Sequence, residues 1–326
     1  MLSRVADSIY WMSRYIERAE NIARIIDVNL HFILDNKIVS NEQWEPLVRI
    51  TADWEYFYKK YEEPTRENII EFLTFDTEYP NSIISCLSAA RENARSIREI
   101  ITSEMWMQIN RFYLMLNDRN FKKLLINSPH EFYNEIKLNS HLFFGITDNT
   151  MSHNECWHFY KLGQLIERAD KTSRIIDVKY FHILPNIKDI GTAYDDIQWG
   201  SLLKSASGFE MYRKIYHGMT PEKIIEFLIL NTDFPRSITY CLNCANTSLH
   251  AISGSSTESY NNKSEQQLGL LRSELAYADV SEIIALGLHE YTDLFQKKLN
   301  LLSDSIFLDF FAINNSMEYC LEEMSE

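Results

Sequence analysis

Tyr15-Ile16-Glu17-Arg18-Ala19-Glu20-Asn21-Ile22-Ala23-Arg24-Ile25-Ile26-Asp27-Val28 is written a second time, 150 residues later. There it reads Leu165-Ile166-Glu167-Arg168-Ala169-Asp170-Lys171-Thr172-Ser173-Arg174-Ile175-Ile176-Asp177-Val178, with nine of fourteen positions identical. At 100° per residue, Met12, Tyr15, Ile16, Ala19, Ile22, Ala23 and Ile26 fall on one face. Arg14, Glu17, Asn21 and Arg24 fall on the other. The spacing predicts one long helix over residues 3–35, with Glu20 and Arg24 as an acid-first i,i+4 pair. The polar face is either solvated or in ionic contact with its twin helix.

The repeat extends beyond these helices. Residues 69–87 match 224–242 at eleven of nineteen positions, at an offset of 155. Trp44, Leu47 and Glu55 recur as Trp199, Leu202 and Glu210. The change of offset predicts a five-residue insertion within 185–198. Two long blocks at nearly one offset indicate internal duplication. The expected fold is all-α, a helical bundle of two tandem, pseudo-two-fold-related repeats. The first spans residues 1–144 and the second 145–326, packed as one compact unit.

Further helices are expected at 44–61, at 67–75 with Thr65 as N-cap, and at 82–102 with Pro80 in the first turn. Two more follow at 104–125 and from 129 to about Phe144. Gly145 to Met151 reads as the break between repeats, followed by a second long helix over 152–184. Residues 253–264 read as a Gly/Ser-rich loop, and 266–311 as helical with a weak point at Gly287. The acidic last dozen residues read as a fraying end.

The chain has 326 residues, 45% of them hydrophobic, with only nine glycines and seven prolines, which suits long helices with few tight turns. A net charge of −14 argues against nucleic acid and against an anionic membrane surface. The start lacks the apolar core of a signal peptide, and no apolar run is long enough to span a membrane. The five cysteines are an odd number and form no disulfide framework, so a reducing cytoplasm is the expected compartment. Oligomeric state is left open.

Duplication provides an internal comparison. Glu17, Arg18, Arg24 and Asp27 recur as Glu167, Arg168, Arg174 and Asp177. They read either as paired ion bridges between the copies or as two Glu-Arg pairs framing a pocket. Arg91, Arg95 and Arg98, at i, i+4 and i+7, face Asn246, His250 and Ser253 in the second copy. This once-only basic stripe reads as a solvated face or as a site for a carboxylate, a phosphate or an acidic partner loop. Arg14 (opposite Gln164) and Arg4 (opposite Asn154) also occur once. Cys241 and Cys244 have CxxC spacing but no second pair, so they read as core. His153 and His158 form no HExxH pattern. Nucleotide-binding glycine loops and nucleophile elbows are absent, and no cofactor or metal ligand set is nominated.

Met1 to Asn21 closely resembles the start of the alpha-E family, bacterial all-helical proteins with an internal Glu-Arg motif, here Glu17-Arg18 and Glu167-Arg168. Arg91-Glu92-Asn93-Ala94-Arg95 with Trp106 and Asn110 resembles its middle motif. Gly145, Thr150-Met151, Trp157, Gly163 and Arg168-Ala169-Asp170 resemble its mid-chain block, and Gly287-Leu288-His289 its C-terminal block. The loop at 253–264 and Lys171 depart from the pattern. The family brings no established catalytic residues. Its members are typically encoded beside, or fused to, a circularly permuted ATP-grasp protein, often with transglutaminase-like or amidohydrolase-like neighbours. The resemblance therefore implies a helical partner subunit of an amide- or peptide-forming ligase, binding an acidic or peptidic substrate. Ligand candidates are Arg14, Glu17, Arg18, Arg91, Arg95, Arg98, Glu167 and Arg168. An acid/base transferase or hydrolase with its site between the repeats is the alternative, and a purely scaffolding bundle a third.

Overall fold

The computed structural model describes residues 1–36, 44–51, 53–183 and 193–312. Among them every regular element is helical, and no helix is long and apolar enough to cross a membrane. Two helices form the axis, α1 (Ser3–Asn36) and α9 (Glu155–Ile183). They pack directly on each other. Gly163 marks the close approach: a Cβ there would collide with the Tyr10 carbonyl oxygen and with Ser13 Oγ. The Ser13 hydroxyl is already turned onto that carbonyl, 2.8 Å away.

The first half continues with α2 (Glu45–Thr51), α3 (Trp54–Tyr58), α4 (Arg66–Thr74), α5 (Ile83–Ser96), α6 (Ser103–Asn117), α7 (Arg119–Asn127) and α8 (Pro129–Thr150). After α9 come α10 (Ala193–Ser205), α11 (Phe209–Ile215), α12 (Pro221–Ile229), α13 (Ile238–Ser253), α14 (Lys263–Ala276), α15 (Val280–Leu286) and α16 (Leu288–Ile306). A π-helical turn at Phe307–Phe311 follows. Helices α5 and α8 cover α1, while α13 and α16 cover α9. Each axial helix also receives a short helix from the other half, α2 on α9 and α10 on α1.

Local chemistry sets the helix ends. Thr65 and Thr220 accept from the backbone N–H groups of Asn68 and Lys223, and Ser82 and Ser237 from those of Ser85 and Tyr240. Such a cap satisfies an otherwise orphaned donor and contributes roughly 1 kcal/mol. Beneath these turns the aromatics stack in matching groups. Phe72 lies 4.0 Å from Tyr79 and 5.2 Å from Phe57, centroid to centroid. Phe227 lies 4.5 Å from Phe234 and 5.6 Å from Tyr212. Of the aromatics in 44–61, Trp44 and Phe57 are core, whereas Trp54, Tyr56 and Tyr58 are exposed.

Several sequence expectations need correction. The stretch 44–61 is two short helices. Pro80 lies in the turn before Ser82, which is the N-cap of α5. That helix stops at Ser96, so Arg98 lies beyond it. The helix expected over 104–125 is broken at Asp118, whose extended backbone frees its carboxylate to cap Asn120 and Phe121 at 2.8 and 3.0 Å. Gly145 is no break: α8 runs through it to Thr150, and the chain turns between Met151 and Asn154. A lone glycine inside a helix costs only about 1 kcal/mol, which neighbouring packing outweighs. Gly287 does break the chain, at φ 101°, where only glycine sits without strain. Most of the expected insertion, residues 184–192, and the acidic end from 313 lie outside the described residues.

Candidate functional site

The polar face of α1 is buried against α9. Arg18 reaches Glu167 with a two-pronged fork, Nε to Oε1 at 2.7 Å and Nη2 to Oε2 at 3.0 Å. Arg168 returns the same fork to Glu17, at 2.8 and 2.9 Å. Both carboxylates are fully buried. A buried carboxylate is tolerable only with charged, geometrically matched donors, and the planar guanidinium supplies them. Burial pushes the Glu17 carboxyl up, but Arg168 and Arg236 outweigh it and bring it down to about 2. Glu167 is likewise held well below the usual carboxylate range, with Arg18, Lys171 and Arg14 overcoming burial. Neither group carries a proton near neutral pH.

The surroundings of the two carboxylates differ. At the Glu17 pole, Arg236 fills the space. It donates to Glu17 Oε1 at 3.3 Å, to Asn21 Oδ1 at 3.1 Å and to Glu20 Oε2 at 2.9 Å. Arg24 pairs with Glu20, as its i,i+4 spacing predicts, and Gln164 reaches Glu17 at 3.5 Å. At the Glu167 pole the position matching Arg236, at the offset of 155, is Asn81. Its side chain is too short to fill the same space. It accepts from Arg18 and donates to Asp53 Oδ2 at 3.0 Å, where the Tyr79 hydroxyl also donates at 2.6 Å.

What remains open is a cavity of about 270 Å³ lined by Arg14, Arg18, Lys171, Arg174, Asp53 and Asn81, with the isoleucine and leucine side chains of Ile22 and Leu47 behind them. Arg14 donates to Glu167 Oε2 at 2.9 Å. Lys171 reaches Asp170 at 3.1 Å and Glu167 at 3.5 Å. Arg174 holds Asp170 through Nε at 3.0 and 2.9 Å. On its far side Arg14 stacks on Trp11, 4.8 Å from the ring centre, and donates to the Tyr10 hydroxyl at 3.1 Å. It thereby also walls a second cleft of about 320 Å³, lined by Tyr10, Trp11, Asp304, Phe307 and Phe311; Asn300 borders both spaces.

Of the residues singled out from sequence, Arg14, Arg18 and Glu167 therefore meet at one pole, and Glu17 with Arg168 at the other. Arg91, Arg95 and Arg98 do not join them. Arg91 donates to Asn110 at 2.8 Å and to Glu92 at 3.0 Å, and Arg95 to Glu92 at 2.8 Å. Arg91 and Arg98 lie over the Trp106 ring at 5.7 and 5.3 Å. Arg4 is exposed. Reading the sequence missed Lys171, Arg174, Asn81 and Asp53 as lining residues. The signal for two of them was present, since Lys171 stands opposite Asn21 and Asn81 opposite Arg236.

Asp27, His31 and His130 carry ligand atoms within 4.8 Å of one another, a set that could hold a metal ion. The Asp27 carboxylate is already occupied, however. His130 Nδ1 lies 2.8 Å from Oδ1, and Lys137 donates to Oδ2 at 2.6 Å. A dication would displace that ammonium. Asp177 makes the matching contact with His289 at 2.7 Å, completed by the Thr292 hydroxyl at 3.1 Å. The two aspartates thus tie α1 to α8 and α9 to α16. Cys86 and Cys241 are buried, and burial pushes both thiols up to about 12, which leaves them unreactive.

A family model described as a predicted alpha-helical domain with a conserved ER motif matches residues 1–311. No curated protein and no solved structure matches the chain.

Proposed function

The chain belongs to the Alpha-E family, and on that premise we propose that it is a non-catalytic helical partner subunit of an ATP-grasp amide or peptide ligase system, holding an acidic or peptidic ligand at the Glu167 pole. The observation that carries the ligand site is the cavity into which Arg14, Arg18, Lys171 and Arg174 converge while the equivalent space beside Glu17 is filled. Convergent guanidinium and ammonium groups in a partly dry recess suit a carboxylate. The ligase association rests on the family resemblance. Cytoplasmic placement accords with the free cysteines. The reading also includes a fold built from two tandem, pseudo-two-fold-related repeats, 1–144 and 145–326, packed as one unit. The reciprocal Arg18–Glu167 and Arg168–Glu17 forks and the paired Asp27–His130 and Asp177–His289 contacts support it.

The alternative, an acid/base enzyme between the repeats, would need one of the two glutamates to give or take a proton at neutral pH. Guanidinium pairing works against that. The test is reconstitution: the neighbouring ATP-grasp protein is assayed for ligation with and without this chain, and the two are co-purified. A stable complex and chain-dependent turnover support the reading. Turnover unchanged by the chain, with no complex, overturns it.

A further inference from the structure

We propose that the ligand of the Glu167 pole is a short zwitterionic peptide, its carboxylate in the cationic cavity and its amino-terminal apolar residue in the aromatic cleft beyond Arg14. This deepens the preceding reading and rests on its placement of a ligand at this pole.

The carboxylate end follows from charge and from spare donors. Four cations, Arg14, Arg18, Lys171 and Arg174, face three carboxylates, Glu167, Asp170 and Asp53, so the pole carries one positive charge in excess. One monoanion balances it, whereas a phosphate dianion overshoots. Arg14 spends Nε and Nη1 on Glu167 and Tyr10, and Arg174 spends only Nε on Asp170. Among the described residues Arg14 Nη2 and both terminal nitrogens of Arg174 make no hydrogen bond. The Arg14 side chain is nine-tenths buried, so these donors gain from a partner more than a surface arginine would.

The second end follows from the neighbouring cleft. Arg14 and Asn300 border both spaces, so a ligand passing along the Arg14 guanidinium enters the cleft of Tyr10, Trp11, Phe307 and Phe311. Phe307 is half exposed there. The carboxylate of Asp304 lies in the same cleft and makes no ion pair or hydrogen bond among the described residues. An aromatic wall with a carboxylate at its edge suits an ammonium attached to an apolar side chain. Among the described residues only Arg14 and Asn300 border both spaces, a short divide that suits a single amide linkage between the two ends.

The test is calorimetric titration of the full chain with phenylalanyl-glycine, its C-terminal amide, its N-acetyl derivative and inorganic phosphate. The dipeptide should bind, the amide at least tenfold more weakly and the acetylated form several-fold more weakly. Asn81→Arg, which places in this pole the residue that fills the other, should abolish binding while keeping the wild-type helical melt. Lys171→Asn, which installs the residue found opposite, should weaken binding tenfold and gives a second route if the first variant melts early. Trp11→Ala should weaken the dipeptide several-fold. Equal binding of amide and acid, phosphate binding without dipeptide binding, or no binding at all overturns the proposal. Failure of the ligase reading is separate: it would leave peptide binding intact but turnover independent of the chain.

Discussion

The two ends of the α1–α9 crossing present the same carboxylate to the same guanidinium fork, yet a third arginine occupies the space at one end and a cavity opens at the other. Among the substitutions between matching positions that separate them are Gln164 for Arg14, Asn21 for Lys171, Arg236 for Asn81 and Gly208 for Asp53. At the Glu17 end the long arginine arrives from the turn before α13 and plugs the space between Glu17 and Glu20. At the Glu167 end the asparagine from the turn before α5 stops short, and the extra cations line a void instead. The repeated Glu-Arg motif therefore accounts for how the long helices are held together. What tells the two ends apart is the set of residues that changed around it.

The largest predicted effect tests whether both forks hold the fold. Glu17→Gln leaves Arg168 and Arg236 facing each other in a dry interior, and should cost about 3–5 kcal/mol in urea unfolding. Glu167→Gln should cost less, about 2 kcal/mol, because the cavity lets water reach Arg14 and Lys171. Equal losses would remove the distinction between a filled and an open pole.

Acid sharpens the same point. Glu17 is brought from 4.5, the value of a solvent-exposed carboxyl, to about 2 when folded, so the unfolded chain binds a proton that the folded chain refuses between those values. Its contribution, on the order of 3 kcal/mol, is complete above pH 4.5 and fades as pH falls toward 2. His141 beside Arg24 adds an earlier loss. Burial and the neighbouring arginines bring it from 6.5 to about 4, so stability should begin to fall below pH 6.5. In Glu17→Gln the loss between pH 4.5 and 2 should shrink. An unchanged acid profile in that variant would contradict the assignment.

The crossing itself is tested by Gly163→Ala. The new methyl meets the Tyr10 carbonyl oxygen, which belongs to helix backbone and cannot swing aside. A loss of about 1–3 kcal/mol is expected, read from the melting midpoint. No loss would mean that the helices can slide apart without cost.

The exchange of the distinguishing residues has milder effects than the loss of Glu17. Arg236→Asn should cost about 2 kcal/mol, since Glu17 keeps Arg168 and Glu20 keeps Arg24. Asn81→Arg should change stability by about 1 kcal/mol or less, because Asp53 can receive the new guanidinium.

Much of the architecture was legible from residue order. The all-helical fold, the long helices, the Thr65 cap and the core placement of Cys241 follow from periodicity and internal comparison. Asp118 and Gly145 were misread because helix breaking depends on what surrounds a residue. The cap geometry favours a break at the aspartate, while flanking packing carries the helix through the glycine. For the site, Arg14, Arg18 and Glu167 were visible as motif or as once-only residues. The cavity was not, because a void is a property of what a side chain fails to reach. Asn81 looks unremarkable until its partner position is seen to hold an arginine. The Arg91, Arg95 and Arg98 stripe drew attention by spacing, but Glu92, Asn110 and Trp106 engage it locally.

The central contrast is tested most directly by a crystal soaked in sodium bromide, whose monoanion is located by its anomalous signal. A bromide beside Arg14, Lys171 and Arg174, with none beside Arg236, is the predicted result. Bromide at both poles, or at neither, would contradict it.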